Sequence, residues 1–247
     1  MKRIAFLTIL VVAAFVIGCT SDRERMQATV DIAVPLTQTA LARYFSPTPP
    51  PTATPTITPE PGAMIPKTFS VSMPFNWKTY DLSGIGINIA KIRLTEGLQN
   101  DPSIGCVVSE ERIPEMLLGG LRLAATKNTT DPTQCVALTI FTLAPIADMS
   151  LEGFMEIKLE QIEEALGGGA EIKQNTWQLN YVRAGEFIYE QDRYAADGVT
   201  ALYETHVDYV VVDEGGIYLL SFITPTGDFQ ANYSEITQIA QSFRAGE

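Results

Sequence analysis

Four short apolar runs follow one another in the C-terminal part of the chain, and they constrain its fold more than any other feature. They cover about 171–181, 185–194, 199–212 and 216–223. Their β-branched and aromatic residues favour strands. Between the later runs lie Ala196-Asp197-Gly198 and Asp213-Glu214-Gly215-Gly216, which supply the positive φ angles of tight hairpin turns. Consecutive strands joined by such turns pair antiparallel, so the sequence predicts a largely antiparallel β-sheet.

Helical patterns lie on both sides of these strands. Ser150 can cap a helix whose first turn carries Glu152, and Gly167-Gly168-Gly169 ends that helix. Its apolar stripe has helical spacing and consists of Leu151, Met155, Leu159, Ile162 and Leu166. A last helix after Pro225 has a stripe of Phe229, Tyr233, Ile236, Ala240 and Phe243. Antiparallel strands with helices before and after them predict an α+β fold rather than a parallel Rossmann sheet.

The region before Ser150 gives weaker patterns. Three segments are predicted to be strands: Phe69 to Met73, Ile85 to Leu94, and Cys135 to Leu143. Pro74 to Lys78 is predicted to turn out of the first strand, and Gly84-Ile85-Gly86 is interpreted as a strand irregularity. Glu110 to Ala125 is predicted to be helical except at Gly119-Gly120. Residues 95–134 as a whole are the least readable part of the chain.

The first nineteen residues indicate where the protein is located. Lys2 and Arg3 precede an uncharged apolar run from Ile4 to Ile17, which is followed by Gly18-Cys19. This order is typical of an export signal. A cysteine directly after the small residue resembles a bacterial lipoprotein signal, which implies that residues 1–18 are removed and that Cys19 is lipidated. The run is short for a hydrocarbon core that takes about 20 residues to cross. A plain membrane anchor and ordinary secretion are the alternatives.

Residues 19–66 are predicted to be a disordered tether, rich in proline and threonine from residue 46. Proline fixes φ, and the segment lacks the apolar content needed to collapse, so we expect extended polyproline II. At ~3.1 Å per residue, the proline-rich part reaches roughly 65 Å. The tether would hold a domain at 67–247 away from the cell membrane or outer membrane of a bacterium, with the lipid bilayer as its partner through Cys19. The alternative is a proline-rich ligand for a recognition module.

The charge balance bears on the other partners. The chain has 29 acidic and 17 basic residues, a net charge of −12 at pH 7, and loss of Lys2 and Arg3 with the signal would leave it more acidic. Such a surface repels nucleic-acid phosphates, so no nucleic-acid partner is expected.

The cysteines fit an exported protein. If Cys19 is lipidated, Cys106 and Cys135 remain as an even pair in an oxidising compartment. A disulfide between them would close a loop of about 30 residues and contribute on the order of 3–4 kcal/mol to stability. Two buried free thiols are the alternative.

The two ends of the folded part resemble PsbP-like and DcrB-type domains. The opening motif is Phe69-x-Val71-x-x-Pro74-x-x-Trp77-Lys78. The closing motif comprises Tyr218-Leu219-Leu220-Ser221-Phe222, Pro225, Phe229, Tyr233, Ile236, Ile239 and Ser242-Phe243-Arg244. The resemblance covers about 67–247 and implies an α/β/α sandwich around an antiparallel sheet. It also implies an accessory role in binding or assembly rather than catalysis, because known relatives largely assist a larger assembly. Residues 95–134 are longer than the usual connection of that family.

His206 is the one histidine of the chain and therefore the main candidate for a catalytic base or a metal ligand. Strand alternation predicts that one face of its strand turns to the core, with Tyr203, Thr205, Val207, Tyr209 and Val211. Glu204, His206 and Asp208 then share the other face. They make an incomplete zinc half-site, because same-face residues lie nearly 7 Å apart and no second His or Cys completes a tetrahedral set. We interpret them as a polar face, solvated or under a helix edge, where the acidic neighbours raise the pKa of His206.

Other catalytic signatures are missing from the sequence. It contains no G-x-S-x-G elbow and no phosphate-binding loop with its Lys-Ser/Thr pair. We therefore predict no catalytic residue, no cofactor and no metal ligand, and we expect the protein not to be an enzyme.

Four aromatic residues raise the possibility of a ligand groove. Trp177, Tyr181, Phe187 and Tyr189 lie on two successive predicted strands and could contact a carbohydrate or an apolar peptide. Core packing is the alternative.

The leading prediction is an extracytoplasmic, membrane-anchored lipoprotein with a non-catalytic binding or assembly role and an envelope protein partner. The alternatives are a surface lipoprotein that binds a small ligand or glycan, and then a hydrolase.

Overall fold

The fold is built from nine strands and four α-helices in the residues that the computed structural model describes, 68–127, 134–168, 170–194 and 201–246. The strands are β1 (Phe69–Ser70), β2 (Trp77–Asp81), β3 (Leu121–Lys127), β4 (Ala137–Leu143), β5 (Ile172–Leu179), β6 (Val182–Tyr194), β7 (Ala201–Asp213), β8 (Gly216–Pro225) and β9 (Arg244–Ala245). The α-helices are α1 (Ile87–Asn100), α2 (Ile113–Leu118), α3 (Leu151–Ala165) and α4 (Phe229–Gln241). The predicted signal at 1–18, the tether at 19–66 and the turn Ala196-Asp197-Gly198 lie outside the described residues.

Seven of the strands form one sheet in the order β2-β3-β4-β8-β7-β6-β5. Every neighbouring pair in it is antiparallel. The predicted α+β fold with an antiparallel sheet is therefore confirmed. The short strands β1 and β9 form a separate antiparallel pair.

Helices cover both faces of the sheet, which makes the predicted α/β/α sandwich. Helix α4 packs on one face, here called the α4 face, where Ile236 joins the largest apolar core. Helix α3 packs on the other, here called the α3 face, through Phe154. Phe141 and Leu219 are register partners and so point to the same side. Because Phe141 packs with the core beneath α1 and α2 while Leu219 packs with α3, these three helices share one face.

The ends of α3 follow the sequence prediction. The Ser150 hydroxyl accepts a hydrogen bond from the backbone N–H of Gly153 at 3.0 Å and so caps the first turn. After Leu166, Gly167 and Gly168 have φ angles of 72° and 80°, which favour glycine and end the helix.

The predicted strand from Ile85 to Leu94 is wrong, because this segment forms helix α1 from Ile87. Its buried residues, Ala90, Leu94 and Gly97, have helical spacing and face the sheet. Ile89 and Ile92, which a helix places away from this buried stripe, are exposed. Gly84-Ile85-Gly86 is accordingly the turn and cap before this helix rather than a strand irregularity.

Two further segments differ from the prediction. The helical part of Glu110 to Ala125 ends at Leu118, and strand β3 begins at Leu121. The turn between them needs glycine, since Gly120 has a φ of 100° and a Cβ there would lie 2.3 Å from the Thr142 carbonyl oxygen. The predicted turn from Pro74 to Lys78 instead runs into edge strand β2, and the first strand stops at Ser70.

Candidate functional site

The polar residues that the sequence placed on one face of β7 do lie together, beneath α3. Lys158 of α3 reaches down to the sheet, and its Nζ lies 2.8 Å from Asp208 Oδ2. The Tyr189 hydroxyl on β6 donates to the same oxygen at 3.2 Å. The Tyr189 ring stacks on His206, with centroids 5.0 Å apart and an interplanar angle of 11°. We call Lys158, Tyr189, His206 and Asp208 the α3-face cluster.

Electrostatics in this cluster differ from the sequence prediction. The pKa of His206 is lowered to about 4, chiefly by burial; the positive charges of Lys158 and Arg193 contribute to the decrease, and Asp208 opposes it. The predicted rise in the pKa of His206 is wrong, because α3 covers this face and brings Lys158 with it. Burial opposes ionisation of Asp208, but Lys158 brings the net pKa of Asp208 below its ordinary value.

Neighbouring Glu204 has its own cation. Arg193 on β6 donates through Nε to Glu204 Oε1 at 2.7 Å, and Glu204 is 4% exposed. Burial raises the pKa of Glu204 while Arg193 opposes that rise. Both carboxylates beside His206 are thus paired with basic side chains. Among the described residues, no three His, Cys, Asp or Glu side chains are grouped so as to hold a metal.

The contacts of the α3-face cluster are therefore explained by the packing of α3 on the sheet. His206 is neutral at neutral pH, Asp208 is occupied by Lys158 and Tyr189, and the ion pair joins a helix to a strand. The sequence contained a signal for Lys158, which lies three residues after Met155 and four before Ile162 and so falls on the apolar stripe of α3. A lysine at such a position implies an acidic partner beneath the helix.

The four aromatic residues proposed for a groove do not line one surface. Trp177 packs against the α4-face core. Phe187 and Tyr189 are buried in the α3-face core. Tyr181 is in the β5–β6 turn and is 88% exposed. The register explains the separation, because Trp177 pairs with Ala184, and side chains an odd number of residues from Ala184 point to the opposite face.

Cys106 and Cys135 form a disulfide, with their Cα atoms 6.0 Å apart. The bridge joins the 3₁₀ helix Pro102–Cys106 to the residues just before β4. Close to it, the Ser103 hydroxyl donates to Thr126 Oγ1 at 3.1 Å. This 3₁₀ helix belongs to the least readable part of the sequence, and the disulfide links it covalently to the residues that lead into β4.

Several large apolar side chains of the described residues are exposed to solvent: Phe75, Ile89, Ile92, Leu118, Tyr181 and Tyr203. Tyr203 was predicted to face the core but is 64% exposed, since the α4-face core on β7 consists of Val207, Tyr209 and Val211.

Phe75 is the most exposed of these residues, at 102%, and it lies in a loop that is held at both ends. The Ser72 backbone N–H donates to Ser242 Oγ at 2.9 Å. The Asn76 side chain donates to Glu235 Oε1 at 3.4 Å, and the Trp77 N–H donates to the Pro74 carbonyl at 3.0 Å. The loop is thus attached to α4 and to its C-cap residue Ser242, while the phenylalanine ring projects into solvent.

Comparisons with known proteins give structural likeness only. No family model and no curated protein matches the chain. The solution structure of cyanobacterial PsbP from Synechocystis sp. PCC 6803 is 10% identical with a TM-score of 0.43, over 80% of this chain and 99% of that one. LpqN, described as involved in cell envelope biogenesis of Mycobacterium tuberculosis, is 11% identical with a TM-score of 0.40, over 77% and 88%. A protein of unknown function from Pseudomonas aeruginosa is 15% identical with a TM-score of 0.37, over 49% and 72%.

These TM-scores are all below 0.5, so the fold described above rests on the strands and helices of the chain itself. Within the described residues, no helix is both long and apolar enough to cross a membrane.

Proposed function

We propose that this protein is anchored through a lipid on Cys19 outside the cytoplasm of a bacterium and that it binds another envelope component without catalysis. The export signal ending at Cys19 supports the location. The disulfide between Cys106 and Cys135 supports it independently, because such bonds persist in oxidising compartments.

The observation that most directly supports a binding role is the position of Phe75. A fully exposed aromatic ring gains nothing for folding, and aromatic side chains are enriched where proteins contact each other. Hydrogen bonds at Ser72 and Asn76 hold the loop, so a partner would meet Phe75 on a loop that is already positioned. We assign this loop, residues 72–76, as the contact for an envelope protein.

The chemistry of the α3-face cluster supports a role without catalysis. A general base works best when its pKa is close to the working pH, whereas the pKa of His206 is lowered to about 4. Asp208, the neighbouring carboxylate, already holds Lys158 and Tyr189. These groups stabilise the packing of α3.

Photocrosslinking in intact cells tests the proposal. A photoreactive amino acid replaces Phe75 in the full-length chain, and the matched control places it at Glu164, which is exposed on α3. We expect a discrete crosslinked product from position 75 that is absent from position 164. Products of the same size and yield from both positions, or none from position 75, would contradict a contact at this loop.

A further inference from the structure

A carboxylate without a cationic partner is buried under the α4 face. Glu186 on β6 is 0% exposed, and none of the ion pairs of the described residues includes it. The other two buried acids of the described residues, Glu204 and Asp208, each have an Arg or Lys partner. Burying a charge without a counter-ion is expensive, so Glu186 needs an explanation.

Only neutral groups hold Glu186. The Trp177 Nε1–H on edge strand β5 donates to Oε2 at 2.6 Å, and the Asn175 side-chain amide donates to the same oxygen at 3.1 Å. The Tyr233 hydroxyl on α4 donates to Oε1 at 3.0 Å. Burial and the nearby Glu186 together raise the pKa of Tyr233 to about 12, so the phenol keeps its proton. The hydrogen bonds of the carboxyl group are satisfied, but no basic side chain of the described residues pairs with it.

The groups around this charge are aromatic and only half-buried. Trp177 and Tyr233 both retain partial exposure. Phe229, one turn before Tyr233 on α4, is also half-buried, and the two ring centroids lie 5.1 Å apart. Trp177 and Tyr233 thus bond the buried carboxylate through their polar ends, and Phe229 packs beside Tyr233 against the same core.

This arrangement matches the chemistry of a cation. The negative face of an aromatic ring, of tryptophan above all, attracts a positive group, and sets of such rings bind quaternary ammonium ligands. A carboxylate that accepts the indole N–H at the edge of the ring adds electron density to that ring and supplies a nearby opposite charge. A neutral ligand of the same shape would gain only the apolar contact.

We propose that Trp177, Phe229 and Tyr233, with Glu186 hydrogen-bonded to Trp177 and Tyr233, form a binding site for a quaternary ammonium group. This inference goes beyond the proposed contact of the Phe75 loop and does not depend on it. The group that binds is a trimethylammonium group, which can belong to a small ion free in solution or to a lipid headgroup.

Titration of the full chain with choline chloride tests the proposal, with sodium chloride holding the ionic strength constant. The indole N–H signals of the two tryptophans report binding by NMR, and Trp177→Phe identifies the signal of Trp177. We expect that signal to shift saturably. The uncharged carbon isostere 3,3-dimethylbutan-1-ol is expected to bind at least about tenfold more weakly.

Two variants test whether choline binding depends on the side chain of Glu186. Glu186→Gln keeps the size and one acceptor oxygen and should weaken choline binding about tenfold or more. The matched control, Glu190→Gln, removes an exposed charge four residues along the same face of β6 and should leave binding unchanged. If Glu186→Gln fails to fold, the comparison of choline with its isostere in the unaltered protein decides the question.

Phosphatidylcholine vesicles at the same choline concentration separate the two sources of the ligand. A shift of the Trp177 signal with vesicles assigns the site to a headgroup, and a shift with choline alone assigns it to a free ion. Absence of a saturable shift with choline and with vesicles, or equal binding of choline and the neutral isostere, would overturn the proposal.

Discussion

Lys158 shows how much one side chain can contribute to the architecture. Its aliphatic part follows the apolar stripe of α3, and its ammonium reaches Asp208, which is 1% exposed. Tyr189 adds a hydrogen bond to the same carboxylate oxygen. Removal of one partner from such a buried pair leaves the other charged and unpaired, which costs more than the pair contributed.

Replacing Lys158 by methionine should therefore lower the free energy of unfolding by about 3–5 kcal/mol. The double variant Lys158→Met, Asp208→Asn should recover part of that loss, because it removes the stranded charge as well. Urea denaturation measures both. Lys173→Met is the matched control, since Lys173 and Glu171 are both exposed and such a pair contributes about 0–1 kcal/mol. A loss no larger than that of the control would contradict the assigned role of Lys158.

His206 should make stability depend on pH. Its pKa is lowered from 6.5 to about 4 by burial in the folded protein, so the unfolded chain binds the proton first as the pH falls. The free energy of unfolding should therefore decrease as the pH falls from about 6.5 to 4, by about 1–2 kcal/mol between pH 7 and pH 5. The pKa of Glu204 is raised by burial, and this shift has the opposite effect on the free energy of unfolding, which it increases as the pH falls.

Two measurements check this dependence. The imidazole NMR signals of untagged protein come from His206 alone, because the chain has one histidine, and they should not titrate between pH 7 and pH 5. His206→Gln should remove the corresponding slope from the stability curve. An imidazole midpoint near 6.5 would contradict the burial of this ring.

At the scale of elements, glycine determines where α2 ends and β3 begins. Gly120 combines a φ of 100° with a close approach to the Thr142 carbonyl oxygen, whereas Gly84 has a φ of 72° and nothing within 4 Å of the place that a Cβ would occupy. We expect Gly84→Ala to cost about 1–2 kcal/mol, the ordinary cost of a left-handed alanine. Gly120→Ala should cost more than about 3 kcal/mol, because strain and a backbone clash add. Thermal denaturation compares them, and equal losses would contradict the clash.

The sequence predicted the C-terminal elements well because each carried two consistent signals. Helix α3 had both a Ser150 cap and an apolar stripe, and strands β7 and β8 had period-two residues around a glycine turn. Helix α1 had neither a capping side chain nor an uninterrupted pattern. Its isoleucines favour strands, and only packing of Ala90 and Leu94 on the sheet makes it helical.

The candidate site was predictable only in part. Alternation along β7 correctly grouped Glu204, His206 and Asp208 on one face. It gave no information about which helix covers that face, so the lowering of the pKa of His206 by burial, and in smaller part by Lys158, was missed. Glu186 was missed for a similar reason, because its partners Trp177 and Tyr233 come from a neighbouring strand and a helix 47 residues away in sequence.

At the scale of the whole molecule, the two ends of the described chain meet. Strand β1 pairs with β9, and the rings of Phe69 and Phe243 lie 5.7 Å apart. The Thr68 carbonyl accepts hydrogen bonds from the Gly246 N–H at 2.8 Å and from the Tyr218 hydroxyl at 3.0 Å. The opening and closing motifs that resembled PsbP-like domains are therefore one packed unit, and the predicted tether would join the domain at a strand that is well held.

Fractionation of cells that express the full chain or Cys19→Ser tests the central claim most directly. A lipid anchor predicts that the unaltered protein is found with membranes and is released by detergent, and that its mature N-terminal peptide has the mass of a lipidated cysteine. Cys19→Ser should leave the membrane fraction, while Cys106→Ser with Cys135→Ser, which spares the anchor, should stay in it. Cys19→Ser protein that remains with membranes to the same extent as the unaltered protein would contradict the account.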